Sequence, residues 1–325
     1  MTDPLVSVII PTYNYAQYIS EAITSVLDQD YPPDKLEIIV IDDGSTDNTK
    51  EVLTPFIDQG KIIYYYQENE GKASAAYWGI QNSSGKYIFN LDADDYFLPN
   101  KVIETVTAFE ADEAIVHVAS PAKIFYNDTK ALANYEELPK DISGKCLDGN
   151  WLLNYFYENN FLYGGGSTYA AKASTLKKID IPPGVDMFID EFLILAILPY
   201  GKSFFIKEAL SAWRGHSSNY SSLSLDDEKS LKKKERLLRS STAILTYLQN
   251  NNFNDKLIKI YKLKNLNRVI AFKESMGNKK LSDIFNYASN VFINIKPNFA
   301  IINNYQVLNR LVPMGLFRLL KKIKN

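Results

Sequence analysis

The sequence is poor in the residue types that build covalent staples and transition-metal cages. One cysteine, Cys146, excludes a disulfide framework, and two histidines, His117 and His216, exclude a thiolate or histidine-rich metal site. A resident metal would therefore rest mostly on carboxylates. Long apolar runs are missing too: the longest, residues 192–199, falls far short of the ~20 residues a membrane-spanning helix needs. Residues 1–5 carry neither a basic stretch nor a cleavage signature, so no signal peptide is expected and the reading is a reduced, cytoplasmic protein. No G-x-G-x-x-G follows the first apolar run and no G-x-x-x-x-G-K-[ST] occurs anywhere, which removes the main support for dinucleotide oxidoreductases and P-loop phosphotransferases. What remains is ordinary globular usage, 46% apolar and 23% charged, with 22 Tyr and 17 Phe to fill a sizeable core in 325 residues.

The net charge of −2 hides an asymmetry. Residues 1–228 carry 16 Lys+Arg against 34 Asp+Glu, a balance of −18, whereas residues 229–325 carry 20 against 4, a balance of +16. Opposite signs in the two parts predict two domains, 1–225 and a basic 226–325 suited to an anionic surface.

In the first part, apolar β-branched runs alternate with amphipathic stretches. Residues 5–10, 36–41, 61–66 and 87–91 read as strands, the first stopping at Pro11. Residues 18–27, a stretch through Val52, Leu53 and Phe56, and the small-residue stretch 72–81 read as helices. Such alternation specifies an α/β fold with a mostly parallel sheet and helices on both faces. Ligands bind such sheets at the carboxyl ends of the strands. There the chain delivers Pro11, Thr12 and Tyr13, the pair Asp42 and Asp43, and the cluster Asp92, Asp94 and Asp95. Acidic residues also favour a helix start, and Pro99 fits a first turn. Three carboxylates closing a buried strand repel one another, however, and a divalent cation such as Mn²⁺ or Mg²⁺ removes that objection while bridging to substrate phosphates.

Together, the segment Val6 to Asn14, the segment Ile39 to Asp47, Glu70-Gly71 with its small-residue helix, and Leu91 to Asp95 closely resemble the family 2 glycosyltransferases. The resemblance covers residues 4–215 and implies the GT-A fold, with inverting transfer of a sugar from a nucleotide-sugar, UDP-linked in most relatives. It implies that Pro11, Thr12 and Tyr13 line the nucleoside pocket and that Asp43 bonds the base edge. Lys72 falls near the donor phosphates, and Asp92 and Asp94 match the family's D-x-D, which reaches ribose and metal, with Asp95 extending it. The family's general base is the aspartate of an acidic pair opening a later helix; the spacing places it at Asp190, and because the order here is reversed its neighbour Glu191 remains the alternative. Residues 164–168, three glycines followed by Ser167 and Thr168, occupy the place of an acceptor-side loop. Arg214 and His216 resemble the family's Arg-x-His, which serves the diphosphate or the metal.

Beyond residue 228 no strand pattern appears; 231–248, 255–275, 281–293 and 312–323 read as helices. The last combines Leu, Val and Phe with Arg and Lys, the composition of an interfacial amphipathic helix. The expectation is peripheral attachment to the inner face of an anionic membrane, near a glycan or lipid-linked acceptor in polysaccharide or glycolipid synthesis, with no nucleic acid as partner. Two rivals follow from the same motifs: a catalytically silent nucleotide-binding protein at the membrane surface, and a nucleotidyltransferase.

Overall fold

The computed structural model describes residues 3–126, 132–159, 162–216 and 227–293. The chain divides into two compact units, one of Met1–Leu152, Tyr163–Ile181 and Ile189–Ser222, the other of Leu153–Leu162, Pro182–Phe188 and Leu223–Asn325.

The first unit begins with the expected alternation: β1 (Val6–Thr12), α1 (Ile19–Leu27), β2 (Leu36–Asp42), α2 (Thr49–Asp58), β3 (Ile63–Tyr66), α3 (Lys72–Asn82) and β4 (Tyr87–Asn90). These strands are parallel in the order β3-β2-β1-β4. All seven β1 residues are buried, as a strand covered on both faces requires. β1 does not stop at Pro11 but continues to Thr12. Its pairing with β4 ends at Ile9, so beyond that point it has only β2 as a ladder neighbour, and the missing proline N–H breaks no bond. α3 lies close on this sheet because its inner face is Ala73, Ala75, Ala76 and Gly79. A β-carbon at Gly79 would stand 2.3 Å from Ile9 Cγ2 and 2.6 Å from Ile41 Cδ1. The approach of helix to strand thus depends on glycine there.

The remaining strands depart from simple parallel winding. After β5 (Tyr96–Phe97) and α4 (Lys101–Ala111) come β6 (Ile115–Ala119), β7 (Ala122–Tyr126), β8 (Leu132–Tyr135), β9 (Cys146–Asp148) and α5 (Gly149–Asn159). They are followed by β10 (Tyr169–Lys172), α6 (Ala173–Leu176), α7 (Ile189–Ile197), β11 (Lys202–Phe205) and β12 (Ser211–Gly215). β10 slots antiparallel between β4 and β6, and β9 closes the far edge antiparallel to β11, giving eight strands. A second sheet, β5-β12-β7-β8, was not expected from the sequence. Nor does the acidic cluster start a helix: it forms a turn leading into β5, and α4 begins six residues later, behind Asn100.

The second unit is helical. α8 (Asp227–Asn250), α9 (Asp255–Ser275) and α10 (Leu281–Ile293) agree with the three helices read within 229–293. The fourth, 312–323, lies outside the described residues. Ile244, Leu248, Leu257, Ile260, Tyr261 and Tyr287 form the buried core of this unit. Asn254 caps α9 by accepting from the Leu257 amide at 2.8 Å. Asp186 gathers Arg236, at 2.6 and 2.8 Å, and Arg239, at 3.2 Å, while its own amide donates to Ser240 Oγ.

Candidate active site

Two loops at the carboxyl ends of β1 and β2 are tied to each other by one side chain. Asn14, in the left-handed region at φ +58, accepts through Oδ1 from the Thr46 amide at 2.7 Å and the Asp47 amide at 3.2 Å. Its own amide donates to Ser45 Oγ. The turn leaves Tyr13 half exposed over these strand ends, with Pro11 and Thr12 buried beneath. Thr12 Oγ1 is buried without a hydrogen-bond partner. Asp42 turns back into the strand ends, accepting from the Ser45 amide and the Tyr64 hydroxyl. Asp43 accepts from Gln67 Nε2 at 2.7 Å and from the Glu70 and Gly71 amides at 2.9 Å each. Its carboxylate thereby fixes the start of α3, and so the first residue of that helix, Lys72.

Lys72 joins two carboxylates from distant parts of the chain. Its Nζ lies 2.8 Å from Asp92 Oδ1 and 3.3 Å from Asp190 Oδ2, the latter 118 residues away in sequence. Burial disfavours the ammonium, but the Asp190 and Asp92 charges outweigh it and hold Lys72 well above the ordinary lysine range. Burial in turn pushes the Asp190 carboxyl above the ordinary aspartate range, against the opposing charge of Lys72. Asp190 and Glu191 both occupy the first turn of α7. Neighbouring side chains on a helix diverge by about 100°, and it is Asp190 that meets Lys72.

The 92–95 turn brings its three carboxylates together, with one ligand atom from each within 4.8 Å of the others. Asp92 also accepts from Asn90 Nδ2. Asp94 Oδ2 lies 3.1 Å from His216 Nε2, and burial and then the Asp94 charge hold the Tyr15 hydroxyl well above its ordinary range. Asp95 is buried, accepting from Ser167 Oγ at 2.6 Å and the Arg214 amide at 3.0 Å. Burial and then the neighbouring carboxylates raise both Asp94 and Asp95, the second well above its usual range. Desolvated, mutually repelling oxygens are what a hard divalent cation relieves, and an oxygen-only donor set fits Mn²⁺ or Mg²⁺. Asp92 and Asp94 are the better placed of the three, since hydrogen bonds within the fold take both Asp95 oxygens.

Arg214 sits differently from the sequence expectation. It ion-pairs with Glu21, donates from Nε to the Asp94 carbonyl at 3.0 Å and lies 4.9 Å over the Tyr18 ring. It therefore braces the acidic turn from behind, and β12 carries it there by pairing with β5. His216 packs at 4.8 Å on the same tyrosine.

The glycine segment runs between the carboxylates. A β-carbon at Gly165 would stand 3.2 Å from Asp190 Cβ, and one at Gly166 would stand 3.6 Å from Asp92 Oδ2. Ser167 Oγ accepts from the Asp92 amide at 3.0 Å. Sequence reasoning missed Glu21, Tyr15 and Tyr18, and it reached Ser167 only as part of the 164–168 loop. Only Ser167 carried a signal, as the hydroxyl directly after three glycines.

The model of Glycosyl transferase family 2 matches residues 7–179, just over half of the chain, and the chain belongs to that family. An uncharacterized glycosyltransferase of Rickettsia typhi is 48% identical over 99 residues, 30% of this chain and 30% of that protein. The matches to this and the next curated relatives span about a third of their length. S. aureus TarS 1–349 in complex with UDP-GlcNAc shares the fold with a TM-score of 0.62 at 17% identity, over 94% of this chain and 89% of that one. The mannosyltransferase PcManGT from Pyrobaculum calidifontis, in complex with GDP-Man and Mn²⁺, does so with a TM-score of 0.54 at 17% identity, over 96% and 88%. The arrangement of the first unit is thus the GT-A fold.

Proposed function

We propose that this chain is an inverting glycosyltransferase that moves a sugar from a nucleotide-diphosphate sugar, UDP-linked, to an acceptor hydroxyl. The observation that carries the reading is the bridge of Lys72 between Asp92 and Asp190, which sets a metal-type carboxylate and a helix-borne carboxylate on opposite sides of one cation. Asp190 takes the proton of the acceptor hydroxyl as its oxygen bonds the anomeric carbon. The bond from that carbon to the diphosphate breaks in the same displacement, and the nucleoside diphosphate leaves with the electron pair. Lys72 places positive charge where the leaving group becomes negative. A divalent cation held by Asp92 and Asp94, when bound, neutralises further diphosphate charge. Tyr13 and Thr12 face the nucleoside, with Asp43 toward its base. Support for the donor class comes from the similar folds, of which one holds UDP-GlcNAc and the other GDP-Man with Mn²⁺.

The second unit, on this reading, attaches the enzyme to an anionic membrane surface on the cytoplasmic face, near a glycan or lipid-linked acceptor. Its basic composition supports this, as do Leu281 and Phe285, 74% and 72% exposed on α10. Among the described residues no helix is long and apolar enough to cross a membrane.

Titrating UDP and GDP into the protein with and without Mn²⁺ tests the donor class: Mn²⁺-dependent binding of one of them supports it. Asp190→Asn separates binding from chemistry. It is expected to keep nucleotide affinity and lose transfer by roughly 10²–10⁴-fold. Undiminished transfer would remove Asp190 from the role of base.

A further inference from the structure

Two buried basic side chains lie under the glycine segment and take no part in the chemistry above. His117, on β6, is 0% exposed, with Nε2 3.1 Å from the Gly164 carbonyl and Nδ1 2.7 Å from Ser203 Oγ. A carbonyl only accepts, so Nε2 carries the proton and Nδ1 receives the Ser203 hydroxyl. Lys101, on α4, is also 0% exposed, with Nζ 2.7 Å from the Thr168 carbonyl and 3.0 Å from Ser120 Oγ. The two donors thus grip the first and last carbonyls of a five-residue segment whose middle residues touch both sides of the site. Gly165 packs against Asp190, where a β-carbon would stand 3.2 Å from Asp190 Cβ, and Ser167 bonds the Asp92 amide and the Asp95 carboxylate.

A buried imidazole and a buried ammonium are costly choices where alanine or leucine would fill space. A segment with Gly164 at φ +81 and Gly166 at φ +53 has, by itself, little to keep it in one conformation. Gly164 also has no room for a side chain, since a β-carbon would stand 2.8 Å from His117 Cε1 and 2.7 Å from Ala119 Cβ. The carbonyl is therefore pressed onto the imidazole from both the steric and the polar side.

We infer that His117 and Lys101 are positioning residues that clamp the two ends of the 164–168 segment and so fix the separation of Asp190 from Asp92. The inference rests on the proposed glycosyl transfer for its kinetic consequence, but not for its structural one. Releasing one clamp lets Gly165 and Ser167 drift, and with them the packing that holds the base. A displacement of about 1 Å at a reacting group costs up to 10²-fold in rate. The strand ends that carry Thr12 and Asp43 lie outside the clamp, so metal-free affinity for the nucleotide is untouched.

The test compares His117→Leu, which removes the donor, with His117→Gln, which keeps one, in the full chain. Amide hydrogen exchange of the ligand-free protein is read first. His117→Leu is expected to speed exchange at Gly166 and Thr168 at least tenfold while β1 and β2 amides stay as protected as in the wild type, and His117→Gln is expected to restore the slow rates. With a nucleotide-sugar, kcat is expected to fall tenfold or more for His117→Leu, with a smaller change in KM, again with recovery in the glutamine variant. Unchanged exchange in the segment overturns the inference, as does a rise shared equally by the whole sheet, or a glutamine variant no better than leucine. If His117→Leu does not fold, Lys101→Met releases the other end and is judged by the same local pattern. Should the wild type transfer no sugar at all, the glycosyltransferase reading fails while the exchange data still decide the clamp.

Discussion

His117 offers a measurement of stability against pH whose size can be worked from its surroundings. Burial, with the nearby Lys101 charge, pushes its pKa down to about 4 from an ordinary 6.5, against a partly compensating bond to the Gly164 carbonyl. The folded state therefore keeps the ring neutral while the unfolded chain takes up a proton as pH falls through 6.5. Stability from this group is complete above 6.5 and declines toward pH 4, by about 3 kcal/mol for 2.5 pH units at 1.36 kcal/mol each. A wild-type curve alone conceals it. Burial raises Glu136 to about 7, so the folded state binds that proton first and gains stability as pH falls from 7 toward the ordinary 4.5, a similar amount of opposite sign. Lys101, pushed down to about 7 by burial, is charged in both states below pH 7 and adds no slope there; its contribution to stability rises only as pH climbs from 7 toward 10.5. The difference between wild type and His117→Gln removes everything but the histidine. In urea unfolding, the glutamine variant is expected to be less stable by about 1 kcal/mol at pH 7.5 for its poorer hydrogen bonds. The gap should close and reverse by pH 4.5, a total change of about 2–3 kcal/mol. A gap constant across that range would refute the assignment of a neutral, buried imidazole.

Other outcomes follow from single contacts. Asp94→Asn should abolish the Mn²⁺ dependence of nucleotide binding in calorimetry, because it halves the charge offered by the Asp92 and Asp94 pair. Gly79→Val should lower stability by about 1–3 kcal/mol or more in thermal unfolding, since α3 must lift off Ile9 and Ile41. Replacing Leu281 and Phe285 together by Gln should weaken binding to anionic vesicles at least tenfold in sedimentation, each apolar side chain contributing about 1.5–3 kcal/mol on burial. Vesicle binding equal to wild type would remove α10 from the attachment.

The legible half of the fold is the half where burial dictates composition. β1, β2 and β4 are covered on both faces, and continuous apolar runs announce them. The helices 255–275 and 281–293 were readable to the residue because caps and turns delimit them. β10 was not, for Tyr169–Lys172 has too few residues for a period and earns its place only by slotting between β4 and β6. The two-residue β5 and the parallel pairing of β12 with β7 are likewise set by long-range contacts. At the site, motif order brought out Asp92 and Asp190, which Lys72 joins, and Asp94, which lies beside Asp92. Arg214 could not be placed from the chain alone. Its environment depends on Glu21, nearly two hundred residues earlier, and no local pattern distinguishes an arginine facing solvent from one buried against a glutamate.

The separation of the acidic turn from its supports bears on how the protein is made. Asp92, Asp94 and Asp95 leave the ribosome with the parallel strands already synthesised, yet Ser167 follows 72 residues after Asp95, and His216 follows 122 after Asp94. Until then three carboxylates close a strand with neither the serine nor the β12 amide to receive them. The nascent first half is thus a sheet under electrostatic tension. Synthesis of Ser211–Gly215 converts it into a finished site in one late step, by adding β12 alongside β5. Such non-local closure is slow. A variant that stalls there would expose the edge of β7, and aggregation during synthesis, rather than loss of equilibrium stability, would be its signature.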